Sequence, residues 1–249
     1  MHGGELKIGA TCAIVGSVVL FVGTYLHPTQ ADPSEVVAAF TEYAADRLWV
    51  VSHLMQLLGI ALMVAALLIL TKQLEIAIGA VWPRLAAAGA IASLAVATAL
   101  QAVDGIALKA MIDSWAMAPT SQKEITFQTA LAVRQVEIGL ASTLSILFGL
   151  TVTVCGIALL GDRVYPKWVA GIAILGGVPT TIAGVVMAYT GFSALAMSIN
   201  MPASFLLLLW MLIVGVSMWR RPAMRSDEQR SNNRLEPDAR KARAAQAER

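Results

Sequence analysis

The stretch from Arg47 to Leu70, RLWVVSHLMQLLGIALMVAALLIL, decides the fold because it is long and apolar enough to cross a bilayer as one helix. Such a helix needs about 20 predominantly apolar residues. The rest of the chain has the same character, with 57% hydrophobic and 14% charged residues among 249, and a mean hydropathy of +0.70. A soluble domain carries about 25% charged residues. We therefore expect a polytopic membrane protein.

Six segments of this kind predict an all-α transmembrane bundle over residues 1–219. The predicted spans are roughly 8–27, 48–70, 84–105, 137–160, 168–190 and 201–219. Pro83, Pro166 and Pro202 each stand at the start of a span, where proline's missing N–H is tolerated. Pro179 lies inside the fifth span and is expected either to kink it or to mark a packing defect. The apolar run of the first span exceeds a signal-peptide core, so we expect it to be retained.

The distribution of Lys and Arg predicts the orientation of the bundle. The amino end, the 71–84 and 161–167 connections and the tail hold 14 of the 18 basic residues. Basic residues concentrate on the cytoplasmic side, so both termini are predicted to be cytoplasmic. The long connections 28–47 and 106–136 then face outward, and we expect the protein in the bacterial inner membrane.

Residues 220–249 are almost free of apolar side chains and predict a disordered, basic cytoplasmic tail. The tail either contacts anionic lipid headgroups or is simply solvated. Membrane lipids are the partners that the composition indicates. The net charge of only +2 gives no sign of nucleic-acid binding. Cys12 and Cys155 lack metal-ligand spacing and are expected to be small buried residues.

Small residues predict how the helices pack. Glycines recur every seven residues at Gly9, Gly16 and Gly23 in the first span, and the third span is rich in alanine. A second series is Gly177, Gly184 and Gly191. Small residues let helix backbones approach closely in lipid. The sequence therefore predicts a tight bundle without a wide pore.

Four ionisable residues on four spans lie at one depth. At 1.5 Å per residue, His27 and His53 lie roughly 28 and 27 Å from the cytoplasmic ends of their helices. Asp104 and Glu137 lie roughly 30 and 35 Å from theirs. These depths place all four near the outer edge of the hydrocarbon, where a polar pocket opens outward. Ionisable residues at such depth usually face the bundle interior and are paired.

These residue types suit two kinds of chemistry. His53, Asp104 and Glu137 are candidate acid–base residues, because a desolvated carboxyl exchanges protons with histidine. With His27 they also form a candidate ligand set for a divalent metal such as zinc, iron or manganese. His27 and His53 are in addition candidate haem ligands. No compact metal motif such as HExxH is present, so the sequence does not identify a cofactor.

Neighbouring side chains extend this cluster. Gln56 is one turn from His53, Gln101 is one turn from Asp104, and Arg134 is three residues before Glu137. Further candidates for lining the same end of the bundle are Tyr25, Tyr189, Asn200 and Trp115. Two simpler interpretations stay open: His27 as an interfacial cap, and Arg134 with Glu137 as a local helix pair.

The connection 106–136 is amphipathic. We expect one helix to continue the third span until Pro119, and a second to begin near Ser121, which with Glu124 forms a capping-box pattern. These two helices are expected to protrude or to lie along the outer interface. They act either as a lid or as a mere connector.

Several motifs resemble those of a known group. They are YLHP at the end of the first span, W…SH at the start of the second, and YPKWVAGIAILGG leading into AYTGFSALA. These motifs resemble small six-pass bacterial membrane proteins classed as domains of unknown function. The resemblance covers residues 8–219 and implies a fold without implying an activity.

Three functions remain open at this stage. The first is a membrane enzyme or cofactor-binding protein acting on a lipid-like or small apolar substrate, with Asp104 or Glu137 as acid or base and His53 as partner or ligand. The second is a non-catalytic accessory or sensor subunit. The third is a small-molecule transporter, which the absence of ionisable residues at the membrane midplane disfavours.

Overall fold

The computed structural model describes residues 3–78 and 80–220, and these contain helices and no strands. The predicted all-α fold is confirmed. The predicted tail, beyond Arg220, lies outside the described residues. Within those residues the chain forms seven helices, listed here in order: α1 Gly3–Leu26, α2 Val36–Ala45, α3 Trp49–Ile78, α4 Val81–Met117, α5 Lys123–Gly161, α6 Lys167–Thr190 and α7 Ala194–Trp219.

All of these helices except α2 are long and apolar enough to cross a membrane, which matches the predicted six spans. The spans that comprise α4 and α5 cover 37 and 42 residues. A bilayer needs only about 20. Both helices therefore extend well past the hydrocarbon at one end of the bundle, which also carries α2 and is called the α2 end below. The predicted orientation puts this end on the extracytoplasmic side of the membrane.

Two local predictions about helix starts are wrong. The last helix begins at Ala194 rather than near residue 201, so Pro202 lies inside α7. Its amino terminus is capped by Ser193, whose hydroxyl accepts a hydrogen bond from the Ala196 N–H at 3.3 Å. The capping box at Ser121 does not form, because a short 3₁₀ turn over Thr120–Gln122 precedes α5 and no side chain caps it.

Glycines bring the helix backbones into close contact, as predicted. A Cβ atom added to Gly16 would lie 2.9 Å from the carbonyl oxygen of Gly59, across the α1–α3 interface. One added to Gly184 would lie 2.8 Å from the carbonyl oxygen of Ser142, across the α5–α6 interface. Gly191 does not belong to this series. It ends α6 with a φ of +62°, a conformation that glycine adopts without strain.

The buried apolar side chains form two clusters. The larger one lies along the spans and includes the fully buried, free thiol of Cys155. The smaller one lies at the α2 end, where α2 packs on the outer parts of α4 and α5. We call α2 together with residues 109–117 and 123–136 the cap. Phe40 of α2 packs against the rings of Trp115 and Phe127, with centroids 6.0 and 5.9 Å away, and these two rings also contact each other at 5.8 Å.

A lysine fixes α2 to the bundle. The Lys109 ammonium donates to the backbone carbonyls of Tyr43 and Ala44, both at 3.0 Å, and to the Asp113 carboxylate at 2.7 Å. These carbonyls belong to the last turn of α2, whose oxygens have no partner within the helix. A positive charge is also favourable at a helix carboxyl end. The cap is therefore held by polar bonds as well as by its apolar core.

Candidate functional site

His53 and Asp104 meet at the α2 end of the bundle. His53 lies in the second turn of α3, and Asp104 lies near the middle of α4. The Nε2 atom of His53 is 3.0 Å from Oδ2 of Asp104, with side chains only 2% and 15% exposed. The two atoms are not aligned as a hydrogen bond, because His53 Nε2 has no partner that satisfies the angular requirement. The contact is therefore a close electrostatic one.

The backbone of α4 is locally widened at this point. Residues Ala102–Leu108 form a π-helical segment that contains Asp104. Segments of this kind are frequent at functional sites. The next residue, Gly105, lies directly against the histidine, since a Cβ atom there would be 2.6 Å from the Cβ atom of His53. Only glycine leaves room for this approach.

Both nitrogens of His53 face oxygen atoms. Nδ1 is 2.7 Å from the carbonyl oxygen of Trp49, which can only accept a hydrogen bond. Nε2 faces the Asp104 carboxyl. A neutral imidazole carries a single N–H. Both contacts are therefore attractive only if the pair carries one additional proton, as imidazolium with carboxylate or as imidazole with carboxylic acid.

A second polar contact lies one helical turn from the first, toward the middle of the spans. The amide of Gln101 donates to the side-chain oxygen of Gln56 at 3.2 Å. Gln101 is 6% exposed. His53 with Asp104, and Gln56 with Gln101, thus form two successive contacts between α3 and α4. This arrangement follows from the spacing of three residues on each helix.

Several buried oxygen atoms at this end have no hydrogen-bond partner. They are Oδ1 of Asp104, Oε1 of Gln101 and Oδ2 of Asp46. Leaving a buried polar atom unpaired costs about 1–3 kcal/mol. Native proteins keep few such atoms, and each one calls for an explanation. Their concentration beside the His53–Asp104 pair distinguishes this region from the rest of the described structure.

Aromatic rings surround the histidine. Trp49 lies 4.6 Å from His53, 4.7 Å from His27 and 4.4 Å from Tyr43, measured between ring centroids. The rings of His27 and His53 are 5.1 Å apart. The Trp49 indole also donates a hydrogen bond to the backbone carbonyl of Asp104 at 3.0 Å. Trp49 therefore connects all the members of the cluster.

Two members of this cluster lie outside the spans and have shifted pKa values. Burial lowers the pKa of His27, and the nearby charge of His53 lowers it further, against smaller opposite effects of the Pro28 carbonyl and of Asp104 and Asp46. The Nδ1 atom of His27 is 2.9 Å from the Pro28 carbonyl oxygen. Burial raises the pKa of the Tyr43 hydroxyl. Both side chains are therefore uncharged at neutral pH.

Glu137 is engaged elsewhere. Its carboxylate accepts two bonds from the Arg134 guanidinium, at 3.1 and 3.3 Å, and both side chains are only 5% exposed. Arg134 also lies over the rings of Tyr43 and Phe192 and donates to the Pro33 carbonyl at 3.4 Å. The contacts of Glu137 match the local helix pair that the sequence left open.

The geometry does not fit the candidate metal and haem sites. Among the described residues, no three His, Cys, Asp or Glu side chains are placed to share a metal ion, so the four-residue ligand set does not form. His27 and His53 pack ring against ring, which leaves no space for a porphyrin between them. Both nitrogens of His53 also face protein oxygens already.

An open depression of about 390 Å³ lies next to the cluster. Its lining combines the α1–α2 connection with the end of α2: Leu26, His27, Pro28, Thr29, Gln30, Glu42, Ala45 and Asp46. His27 therefore faces the depression and also contacts the rings of Trp49 and His53. His27 is thus the side chain that connects the depression with His53.

Other predicted members of the pocket lie elsewhere. Tyr25 and Tyr189 are 80% and 87% exposed, and Trp115 belongs to the apolar core of the cap. The sequence interpretation missed Tyr43, Asp46 and Trp49. Tyr43 was detectable, because Val36, Phe40 and Tyr43 follow a helical spacing that predicts α2. The contact of Trp49 with Asp104 depends on the π segment, and no sequence pattern indicated that segment.

Comparison with known proteins finds no matching family model, no matching curated protein and no matching solved structure. The resemblance to six-pass proteins of unknown function therefore stays a prediction. The fold and the site together define a class: a helical protein with six candidate membrane spans and a buried His–Asp pair at one end.

Proposed function

We propose that this chain is a multi-pass protein of the bacterial inner membrane that carries out acid–base chemistry on a lipid-like or small apolar substrate at its outer face. His53 and Asp104 are the residues that hold and move the proton. The observation that carries this proposal is the contact of both His53 nitrogens with oxygen acceptors, at 2.7 and 3.0 Å. Two acceptors opposite one imidazole favour an additional proton on the pair in a buried setting, which is what a general acid or base needs.

The unpaired oxygens support a site rather than a structural lock. A cluster that serves stability alone gains from having every polar atom paired. Here Oδ1 of Asp104 and Oε1 of Gln101 are buried without a partner. Active sites often keep groups that lower stability because function needs them. Asp104, whose side chain is 15% exposed, is the member that reaches the surface.

A substrate screen tests this proposal. Purified protein in lipid nanodiscs is incubated with a total bacterial membrane extract, and the mixture is followed by mass spectrometry. We expect the wild type to convert a lipid-like or small apolar species, and Asp104→Asn and His53→Gln to do so at least about a hundredfold more slowly. Glu124→Gln is the control, because it removes an exposed carboxylate of the cap that accepts a hydrogen bond from Gln128.

One observation favours a second candidate, an accessory or sensor subunit without catalysis. His53 is 1% exposed and is enclosed by Trp49 and His27. This packing would let the pair act as a buried lock between α3 and α4. Equal conversion by the wild type and both variants, together with a lower melting temperature of the variants, would favour this candidate and overturn the acid–base proposal.

A further inference from the structure

We propose that the site recognises an amine, a protonated nitrogen carried by a lipid-like or small amphiphilic molecule. This inference rests on the proposed function, because it names the substrate class of the same His53–Asp104 site. It derives from an imbalance between hydrogen-bond donors and acceptors at the α2 end.

The unpaired oxygen atoms at this end are all hydrogen-bond acceptors. Asp46 and Asp104 each have one carboxylate oxygen without a partner, and Gln101 has its amide oxygen. Gln101 is more than nine-tenths buried. Since carboxylate and amide oxygens accept hydrogen bonds, the missing partner must supply N–H or O–H groups. A phosphate or carboxylate headgroup, which offers only acceptors when ionised, cannot meet this need.

The two cationic side chains and the indole N–H at this end are already occupied. The Lys109 ammonium has three acceptors, which are two α2 carbonyls and Asp113. The Arg134 guanidinium is paired with Glu137, and the Trp49 indole N–H is bonded to the Asp104 carbonyl. None of these three groups can reach the unpaired oxygens without giving up a bond that it already makes. A donor from a bound molecule would supply the missing bonds.

The depression next to the site is acidic. Glu42 and Asp46 line the depression, and no lysine or arginine does. Oδ1 of Asp46 accepts the Leu48 N–H at 2.8 Å, and this bond fixes the carboxylate whose second oxygen is unpaired. Negative charge along a cleft attracts cations and repels anions. The acidic depression and the unpaired oxygens thus favour a ligand with the same charge, a cation.

Aromatic rings at the same place also suit a cation. Trp49, Tyr43 and His27 pack together, and His27 also lines the depression. Ammonium groups bind to the faces of Trp and Tyr rings. The cluster already shows this preference, since the Arg134 guanidinium lies 5.5 Å from the centre of the Tyr43 ring. Carboxylates together with aromatic rings favour an amine over an uncharged hydroxyl.

Ligands with one chain length and different headgroups test the inference. Dodecylamine, dodecanol, dodecyl phosphate and dodecyltrimethylammonium are titrated into the purified protein at pH 7, and binding is measured by calorimetry and by the shift in melting temperature. We expect dodecylamine to bind best and to raise the melting temperature by several degrees. The trimethylammonium compound carries the charge without N–H donors, so it should bind about tenfold to a hundredfold more weakly.

Variants of single carboxylates test which oxygens bind the amine. Asp104→Asn should weaken dodecylamine binding by about tenfold to a hundredfold, because a charge-assisted hydrogen bond is lost. Asp46→Asn provides a second test at a partly exposed position, and we expect a weakening there too. Glu124→Gln, which removes a carboxylate from the same end of the molecule, should leave binding unchanged.

Two results would overturn the inference, and they differ in what they say about the proposed function. If dodecanol or dodecyl phosphate binds as tightly as the amine and depends on Asp104, the amine assignment is wrong while the site stands. If no headgroup depends on Asp104 or Asp46, both the amine assignment and the proposed site are wrong.

Discussion

The indole nitrogen of Trp49 donates a hydrogen bond to the backbone carbonyl of Asp104 at 3.0 Å. This bond joins the first turn of α3 to the π segment of α4. The carbonyl of Trp49 in turn contacts Nδ1 of His53 at 2.7 Å. One residue therefore positions both members of the His53–Asp104 pair.

Trp49→Phe tests this positioning role. Phenylalanine keeps a ring in the cluster but has no N–H, so a bond worth about 1 kcal/mol is lost. We expect the melting temperature in detergent to fall by about 2–4 °C. The control is Trp168→Phe, at a tryptophan that is 55% exposed. Equal melting temperatures for the two variants would contradict the role assigned to Trp49.

Gly105→Ala tests the close approach of α4 to His53. The added Cβ atom would lie 2.6 Å from the Cβ atom of His53, and relieving this clash should cost about 1–3 kcal/mol. We expect a lower melting temperature and a weakened site. Gly139→Ala is the matched control, because no atom lies within 4 Å of its added Cβ. That variant should be neutral or more stable, since alanine favours helices.

The buried Arg134–Glu137 pair predicts a non-additive result. Arg134→Met leaves the Glu137 carboxylate buried without its partner, which should destabilise the protein by about 3–5 kcal/mol. Adding Glu137→Leu removes the stranded charge and should restore most of the loss. Thermal melts of the two single variants and of the double variant measure the coupling. Additive losses would mean that the two side chains act independently.

His27 predicts a pH dependence of stability. Its pKa in the folded protein is lowered from an ordinary value near 6.5, so the unfolded chain binds more protons as the pH falls through this range. Stability should therefore decrease on acidification from pH 7.5 to 5.5. His27→Gln should reduce the size of this decrease. An unchanged slope in the variant would exclude His27 as the source.

The orientation of the bundle remains a prediction from the basic residues, of which 14 of 18 lie on one side. Reporter fusions after Arg221 and within residues 121–130 should give signals from opposite compartments, with the first in the cytoplasm. Signals from one compartment at both positions would contradict the predicted topology.

Much of the fold was predictable because it depends on local composition. Each span exceeds the length that a bilayer requires, and apolar runs report this directly. Helix ends were less predictable. The sequence predicts the start of the last span near Pro202, whereas the helix begins at Ala194, directly after its cap Ser193. Depth along a helix also indicated that His53 and Asp104 share a level. The pairing of Glu137 depends on the direction in which its side chain points. Depth along a helix does not predict that direction.

The π segment of α4 also shifts the phase of the helix. Ala90 and Ala97 are fully buried and seven residues apart, and a regular continuation would bury positions 104 and 111. Gly105 and Ile112 are buried instead, one residue later. Asp104 therefore lies at the edge of the buried face of α4 rather than at its centre. Removing one residue from the segment would rotate the outer part of α4 by about 100°, so the length of this turn sets which side chain meets His53.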